Sequence, residues 1–404
     1  MSRHTRHRKA KGASRVGARF EAVVGPVAHG GHCIVRVPTG EEATGETRVV
    51  FTRHAIPGER VVVEITEGTD GDRFWRGDAV EILEPSPDRV PPPCLYAGPG
   101  LCGGCDLQHV RLGRQRDLKA DVVREQLVRL GGFDLADPLV TGLVVEPVAG
   151  DSPENDAGLR WRTRMQYVAL PNGTRGLREH RSRNVVEIDD CLIAHPDARL
   201  VVTDGPSDAP PVEETVVTSA GSHTFAVEAD GFWQVHPGAP RVLVETVLDL
   251  LRPQPGERAL DLYSGVGLFA RFLSEAVGES ARVVAIEGDR AATRHAARNL
   301  ADRQKVEVAW GAVDKLLATS YDEPFDVVVL DPPREGARRT VVGQVVDRAP
   351  RAVAYVACDP AALARDVATF AELGYRLTRL RAFDLFPMTH HVECVALLER
   401  ARPA

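Results

Sequence analysis

Four polar residues stand directly in or after apolar, strand-like runs: Asp261 in LDLYSGVG, Glu287 at the end of VVAIE, Asp331 opening DPPREG, and Cys358 opening CDP. In an open parallel sheet, ligands bind in the crevice beyond the carboxyl ends of the strands, so these four are expected on one rim. Most lone cysteines are inert packing residues, but one at a strand end facing a crevice is placed to act as a nucleophile. A thiolate there can add to carbon 6 of a pyrimidine, which makes carbon 5 nucleophilic enough to take a methyl group from a sulfonium donor. A base must then remove the carbon 5 proton. Glu393, in FPMTHHVECVALLER, begins a terminal strand; if that strand runs antiparallel, its start shares the rim with Cys358. Without Cys358, Glu393 would read as a strand-edge acid.

The segment LDLYSGVGLF couples a strand to Gly265 and Gly267, which let a ligand approach the backbone before a helix begins. A lone G-x-G also fits an ordinary strand-to-helix turn. Glu287, at the next strand end, is placed to bind ribose hydroxyls, and the pair favours an adenosine cofactor. In DPPREG the two prolines fix the backbone that carries Asp331, whose carboxylate can orient a planar polar edge such as a nucleobase; alone, this is also a plain tight turn.

Of seven cysteines, Cys94, Cys102 and Cys105 lie close together, and a distant Cys191 completes four thiols able to wrap an iron-sulfur cluster or a structural zinc. Composition does not choose between the metals. Cys33 and Cys394 are assigned to packing.

These groups need elements to position them. From about Glu257, apolar strands (RALDLY, ARVVAIE, FDVVVL, AVAYVAC) alternate with helical segments, the pattern of a doubly wound α/β sheet. From Phe20 to Glu84, short β-rich runs (EAVVGPVA, CIVRV, RVVFT, RVVVEITE, RGDAVEIL) predict a small closed, OB-like barrel, which either binds oligonucleotide or simply packs. The proline-rich EPSPDRVPPPC marks a boundary. Gln115 to Leu130 reads as an amphipathic helix ended by Gly131-Gly132, with strand-like MQYVAL and NVVEID after it. Seven arginines from Arg160 to Arg183, beside Trp161 and Tyr167, suit phosphate contact and base stacking as well as they suit a solvated hairpin. The acidic Asp204–Glu214 stretch reads as a loop.

At 404 residues the chain exceeds one core, and the division read here is a basic disordered tail (1–15), a barrel (16–86), a central α+β region (87–231) and the doubly wound domain (232–404). The net charge of -7 excludes wholesale coating of nucleic acid, so contacts must be local patches; the first nineteen residues, with seven Lys/Arg and no acid, are one. No apolar stretch approaches the roughly 20 residues that span a bilayer, and the cysteines are not laid out as a secreted scaffold, so a cytoplasmic protein is expected.

Taken together these residues resemble the bacterial RNA 5-methyluridine methyltransferase family, the group of tRNA and large-subunit rRNA uridine methyltransferases, over nearly the whole chain. AIPGERVVVEI and EILEPSPDRVPPPC resemble the end of the TRAM barrel; LCGGCDLQH and DDCLIAHP resemble the cluster-binding segments; FWQVHP, DLYSGVGLF, VVAIEGD, LDPPREG, YVACDP and FPMTHHVE resemble six family motifs in order. The resemblance implies a class I, Rossmann-like methyltransferase domain, S-adenosylmethionine held by Gln234, Tyr263, Glu287, Asp331 and, more weakly, Asp314, with Cys358 as nucleophile and Glu393 as base. It also implies a central iron-sulfur domain with a [4Fe-4S] cluster on Cys94, Cys102, Cys105 and Cys191. The implied reaction is methylation of carbon 5 of a uridine in structured RNA, rRNA favoured over tRNA, with no membrane and no obligate protein partner. The sequence departs from the family pattern: Leu268 replaces a frequent cofactor-touching asparagine, Ala357 and Asp359 flank the nucleophile in place of Ser and Asn, and His236 replaces Asn. Two rivals remain: a noncatalytic iron-sulfur RNA-binding protein of the same fold, and a methyltransferase of nucleobase amines, which needs neither thiol nor carbon 5 base.

Overall fold

The computed structural model describes residues 12–39, 46–200 and 210–401. The basic tail therefore lies largely outside the described residues, as does much of the acidic loop. Two compact units emerge, one of residues 1–118, 168–190 and 388–390, the other of 119–167, 191–387 and 391–404. The region 87–231 is thus shared between them.

In the first unit, β1 (Arg19–Ala28), β2 (His32–Pro38), β3 (Thr47–Arg53), β4 (Arg60–Glu67) and β5 (Phe74–Glu84) close into a barrel in the order β1-β2-β3-β5-β4. All five expected strands are present. Alternation does the work: in β4, Val61, Val63 and Ile65 point inward while Arg60, Val62 and Glu64 face outward or sit at the margin. They pack with Val35, Val37, Val50 and Trp75, and with Cys33, a core residue whose thiol burial pushes up to about 12. After the barrel the chain passes the cysteine loop and enters helix α1 (Leu112–Gly131), which begins three residues earlier than the pattern implied.

In the second unit α1 is followed by α2 (Pro138–Thr141), β6 (Val145–Pro147), α3 (Pro153–Asp156) and β7 (Arg162–Met165). The chain then returns to the first unit for a three-stranded antiparallel sheet of β8 (Val168–Ala169), β9 (Arg175–Arg178) and β10 (Val185–Glu187). Back in the second unit, β11 (Ala194–Leu200) pairs with β7, and β12 (Val212–Thr218) forms a hairpin with β13 (Gly221–Val227) where the sequence had read the end of a loop.

The rest is the doubly wound domain: α4 (Ala239–Leu251), β14 (Ala259–Leu262), α5 (Leu268–Ala276), β15 (Val283–Glu287), α6 (Arg290–Asn299), β16 (Val306–Trp310), α7 (Val313–Thr319), β17 (Val327–Leu330), α8 (Arg338–Asp347), β18 (Ala352–Ala357), α9 (Pro360–Glu372), β19 (Tyr375–Asp384) and β20 (Glu393–Arg400). Its eight-stranded sheet runs β16-β15-β14-β17-β18-β20-β19-β6, and every neighbouring pair is parallel except those made by β20. Strands β14, β17 and β18 are buried along their whole length, which is why they read as unbroken apolar runs. The short β6 joins the edge through Arg381, whose Nε and Nη2 donate to the two carboxylate oxygens of Glu146 at 2.9 and 2.7 Å.

An ion pair is buried in this unit. Lys119 Nζ donates to Asp384 Oδ1 at 2.6 Å and to the Phe386 carbonyl at 3.0 Å, with the two side chains only 1% and 2% exposed. It fixes the end of β19, from which the chain departs toward Glu393. Removing one partner strands the other charge in the interior, so Lys119→Met should lower stability by about 3–5 kcal/mol. Denaturant unfolding should show it; a change under about 1 kcal/mol would mean the pair is solvated in solution.

Candidate active site

The reversal of β20 brings two sequence candidates together. Ala357 of β18 pairs with Cys394 of β20, so the neighbouring Cys358 and Glu393 lie side by side at the carboxyl-end rim of the parallel strands. Cys358 is half-buried at a strand-to-helix turn whose next residue, Asp359, caps α9 by accepting from the Ala362 N–H at 2.8 Å, with Pro360 opening the helix. Asp359 thus has a structural task of its own beside Cys358. Glu393 is 5% exposed. Burial, with Asp331 nearby, raises its acid well above the carboxylate range, while Arg334 opposes the shift. Burial and then the Glu393 charge push the Cys358 thiol up to about 12, against the pull of Arg334. The Arg334 guanidinium approaches His391 Nε2 at 3.3 Å. The sequence offers one signal for Arg334, a cation directly after the rigid Pro332-Pro333 turn of DPPREG, to which no task was assigned above.

The cofactor candidates share the same rim. Glu287 accepts from the Gly265 N–H at 2.8 Å and the Asp289 N–H at 2.6 Å, so both its oxygens are pinned by backbone. A Cβ at Gly265 would meet nothing within 4 Å, leaving open space above that turn, whereas at Gly267 (φ +90°) it would strike Leu300 at 2.8 Å. Asp331 ends β17, its acid raised to about 7 by burial and by Glu287. Asp261, fully buried, caps α5 through the Ala270 N–H at 2.8 Å; burial, then the Asp331 and Glu287 charges, raise it to about 8, and its Oδ1 has no hydrogen-bond partner. Tyr263 adopts φ +63° and its hydroxyl is pushed up to about 12 by burial, then by Asp314 and Asp366. Asp314 lies in the first turn of α7. Gln234 sits between buried Trp233 and His236 on a segment held by the Thr163 N–H donating to the Val235 carbonyl at 2.8 Å. Leu268 is 6% exposed within the core, so it offers nothing to a ligand. A rim of carboxyl groups beside a glycine turn with open space fits a cationic adenosine cofactor: S-adenosylmethionine carries a positive sulfonium, and the acids would be relieved by it.

The cysteine cluster fares differently. Cys94, Cys102, Cys105 and Cys191 carry sulfur, the right donor for iron, and the Cys102 loop is held to β9 by the Gly103 N–H donating to the Arg178 carbonyl. Yet no three or more His, Cys, Asp or Glu side chains are gathered into a metal-holding group among the described residues. The stacking expectation for Trp161 is corrected. It is fully buried, stacked on His236 and edge-on to Phe386, and cannot reach a base. Arg175, Arg178, Arg181 and Arg183 do lie exposed on and beside β9 and β10. No helix among the described residues is long and apolar enough to cross a membrane.

Comparison with known proteins follows the same division. Residues 13–80 match the TRAM domain, and residues 208–401 match the tRNA (Uracil-5-)-methyltransferase family. An uncharacterized RNA methyltransferase of Streptomyces avermitilis is 44% identical, covering 96% of this chain and 99% of its own length. The 23S rRNA (uracil(1939)-C(5))-methyltransferase RlmD of Chromohalobacter salexigens is 31% identical, covering 93% and 88%. The Pyrococcus abyssi tRNA (uracil-54, C5)-methyltransferase, solved with S-adenosyl-L-homocysteine, has the same fold, with a TM-score of 0.66 at 21% identity over 94% of this chain and 99% of that one.

The raised acids give a pH signature. A carboxyl whose folded pKa lies above its unfolded value stabilises fully at low pH and loses that contribution as pH rises through the folded value. For Asp331 and Asp261 this loss runs to about 7 and about 8. The ligand-free protein should therefore lose thermal stability between pH 6 and 8.5, and Asp331→Asn should flatten the fall. An identical slope in parent and variant, by calorimetry, would show that Asp331 is already ionised at pH 6.

Proposed function

Since the chain belongs to the RNA (uracil-5-)-methyltransferase family, we propose that it methylates carbon 5 of a uridine in structured RNA, with Cys358 as the nucleophile and Glu393 as the base. The observation that carries this reading is the β18–β20 register, which sets a thiol beside a buried carboxyl at the rim that also bears Glu287 and Asp331. Nucleobase amine methylation uses no such pair.

S-adenosylmethionine, when bound, supplies an electrophilic methyl group. In this reading Glu287 takes the ribose hydroxyls, its oxygens already aimed by the Gly265 and Asp289 amides, while Gln234, Tyr263, Asp331 and Asp314 line the remainder. The target uridine leaves its stack, as a base must to reach a crevice. The Cys358 thiol gives up its proton to solvent and its sulfur bonds to carbon 6; the electron pair displaced toward carbon 5 takes the methyl carbon as the bond from that carbon to the sulfonium sulfur breaks, leaving S-adenosyl-L-homocysteine. Glu393 takes the carbon 5 proton, the carbon 6–sulfur bond breaks, and the thiolate is restored. The raised thiol keeps Cys358 protonated in the free protein; it is reactive only once charge in the crevice changes. In this reading the exposed Arg175 and Arg178 of β9, with Arg181 and Arg183 in the turn after it, meet phosphate. Relatives named for 23S rRNA support rRNA over tRNA as the substrate. We also assign a [4Fe-4S] cluster to Cys94, Cys102, Cys105 and Cys191; the spacing of the thiols supports it, and it takes no part in these steps.

Two variants test the chemistry. Cys358→Ala should show neither methylation nor a covalent complex. Glu393→Gln should add and methylate, then stall, leaving label from the cofactor on RNA attached to protein on a denaturing gel. Normal turnover of Glu393→Gln, or methylation by Cys358→Ala, would sink the division of labour. For the cluster, protein purified without oxygen should be brown and Cys102→Ser should lose iron; stoichiometric zinc without iron would remove the assignment.

A further inference from the structure

The loop 331–337 carries Asp331 and Arg334, and it must be held against the segment that carries Cys358. We propose that Asp366, on α9, is the positioning residue that locks these two segments together. Its Oδ2 accepts from the Tyr355 hydroxyl at 2.6 Å, the Ala337 N–H at 2.8 Å and the Arg338 N–H at 3.2 Å. The Tyr355 oxygen in turn lies 3.0 Å from the Ala337 nitrogen, within reach of the same N–H. Tyr355 belongs to β18, three residues before Cys358, and Asp366 to the helix that begins two residues after it. Both are shut off from solvent, at 0% and 5% exposure.

The local backbone shows how closely the loop is drawn in. Gly336 has φ +82°, and a Cβ there would lie 2.6 Å from Asp366 Oδ2 and 3.3 Å from the Tyr355 oxygen. Arg338 is held at φ +66°, a conformation that a side-chain-bearing residue adopts only when its surroundings over-determine it. Two backbone donors converging on one buried carboxylate supply that determination. On the opposite side, Arg334 meets His391, two residues before Glu393. The loop is thus tied to the Cys358 segment by Asp366 and to the Glu393 segment by His391. Asp366 touches no reacting atom in this arrangement; it sets where Asp331 and Arg334 stand when Cys358 and Glu393 act.

The inference rests on the proposed function, and its test separates the two. The full chain is assayed on RNA from cells lacking this protein, with Cys358→Ala run alongside; methylation by that variant would overturn the underlying reading alone. Asp366→Asn keeps the shape and removes the charge, and Tyr355→Phe removes one of the three donors. Misplacement of reacting groups slows the step more than it weakens binding, so kcat should fall roughly tenfold or more in Asp366→Asn and about threefold to tenfold in Tyr355→Phe. The KM for RNA and the calorimetric affinity for S-adenosyl-L-homocysteine should stay within about twofold. A kcat within about twofold of the parent in both variants overturns the proposal. So do parallel losses of kcat, cofactor affinity and melting temperature, which would mean that the clamp holds the domain rather than the reacting groups. If Asp366→Asn does not fold, the isosteric Tyr355→Phe decides.

Discussion

One antiparallel strand in an otherwise parallel sheet determines the rest of the site. Parallel strands deliver only their carboxyl ends to the rim, and each end is followed by a loop that must turn into a helix. β20 delivers its beginning instead. Glu393 is therefore the first residue of a strand, buried between β18 and β19 and backed by residues with no exposure to speak of. A carboxyl at the start of a buried strand has little freedom to move; one on a loop would need other groups to hold it. The approach to that strand is itself anchored, since Lys119 and Asp384 fix the end of β19 before the chain turns back.

Bringing Cys358, Glu393, Asp331, Glu287 and Asp261 to one rim has an electrostatic consequence. Burial penalises the charged forms and neighbouring acids add to the penalty, so Asp261, Asp331 and Glu393 are all raised and the thiol with them. Arg334 is the cation that opposes the shift at both Cys358 and Glu393. Such a rim is poorly suited to an anionic ligand and well suited to a sulfonium. In the proposed reaction the protonated forms of Cys358 and Glu393 are the inactive ones, which ties reactivity to occupation of the crevice.

Much of this was legible in the sequence, for a specific reason. Strands buried on both faces leave unbroken apolar runs, and the chemistry-bearing residues sit at their ends, so Asp261, Glu287, Asp331 and Cys358 could be placed from LDLY, VVAIE, VVVLD and YVAC. The barrel was legible through alternation. What escaped was whatever depends on contacts between distant segments. β16 and β19 interleave charge with apolar residues (VEVAW and YRLTRLRAFD) and carry a weaker signal. Trp161 beside arginines read as a stacking platform, yet burial is decided by His236 and Phe386, far along the chain. The three-residue β6 could not be seen as a sheet edge because its register is set by β19, more than 200 residues on. The cysteine spacing names its donors, and that expectation rests on the sequence alone.

Asp366 shows why positioning residues are harder to read than reacting ones. In PAALARDVATFAE it is one acid on an amphipathic helix, and an acid there is ordinarily a solvated residue. Its meaning comes from the face it occupies, turned inward onto a left-handed turn from whose amides it accepts. A reacting group announces itself by type and by place at a strand end. A group that holds the reacting ones is identified only by what it touches, and here that is the amide pair of Ala337 and Arg338 and the hydroxyl of Tyr355.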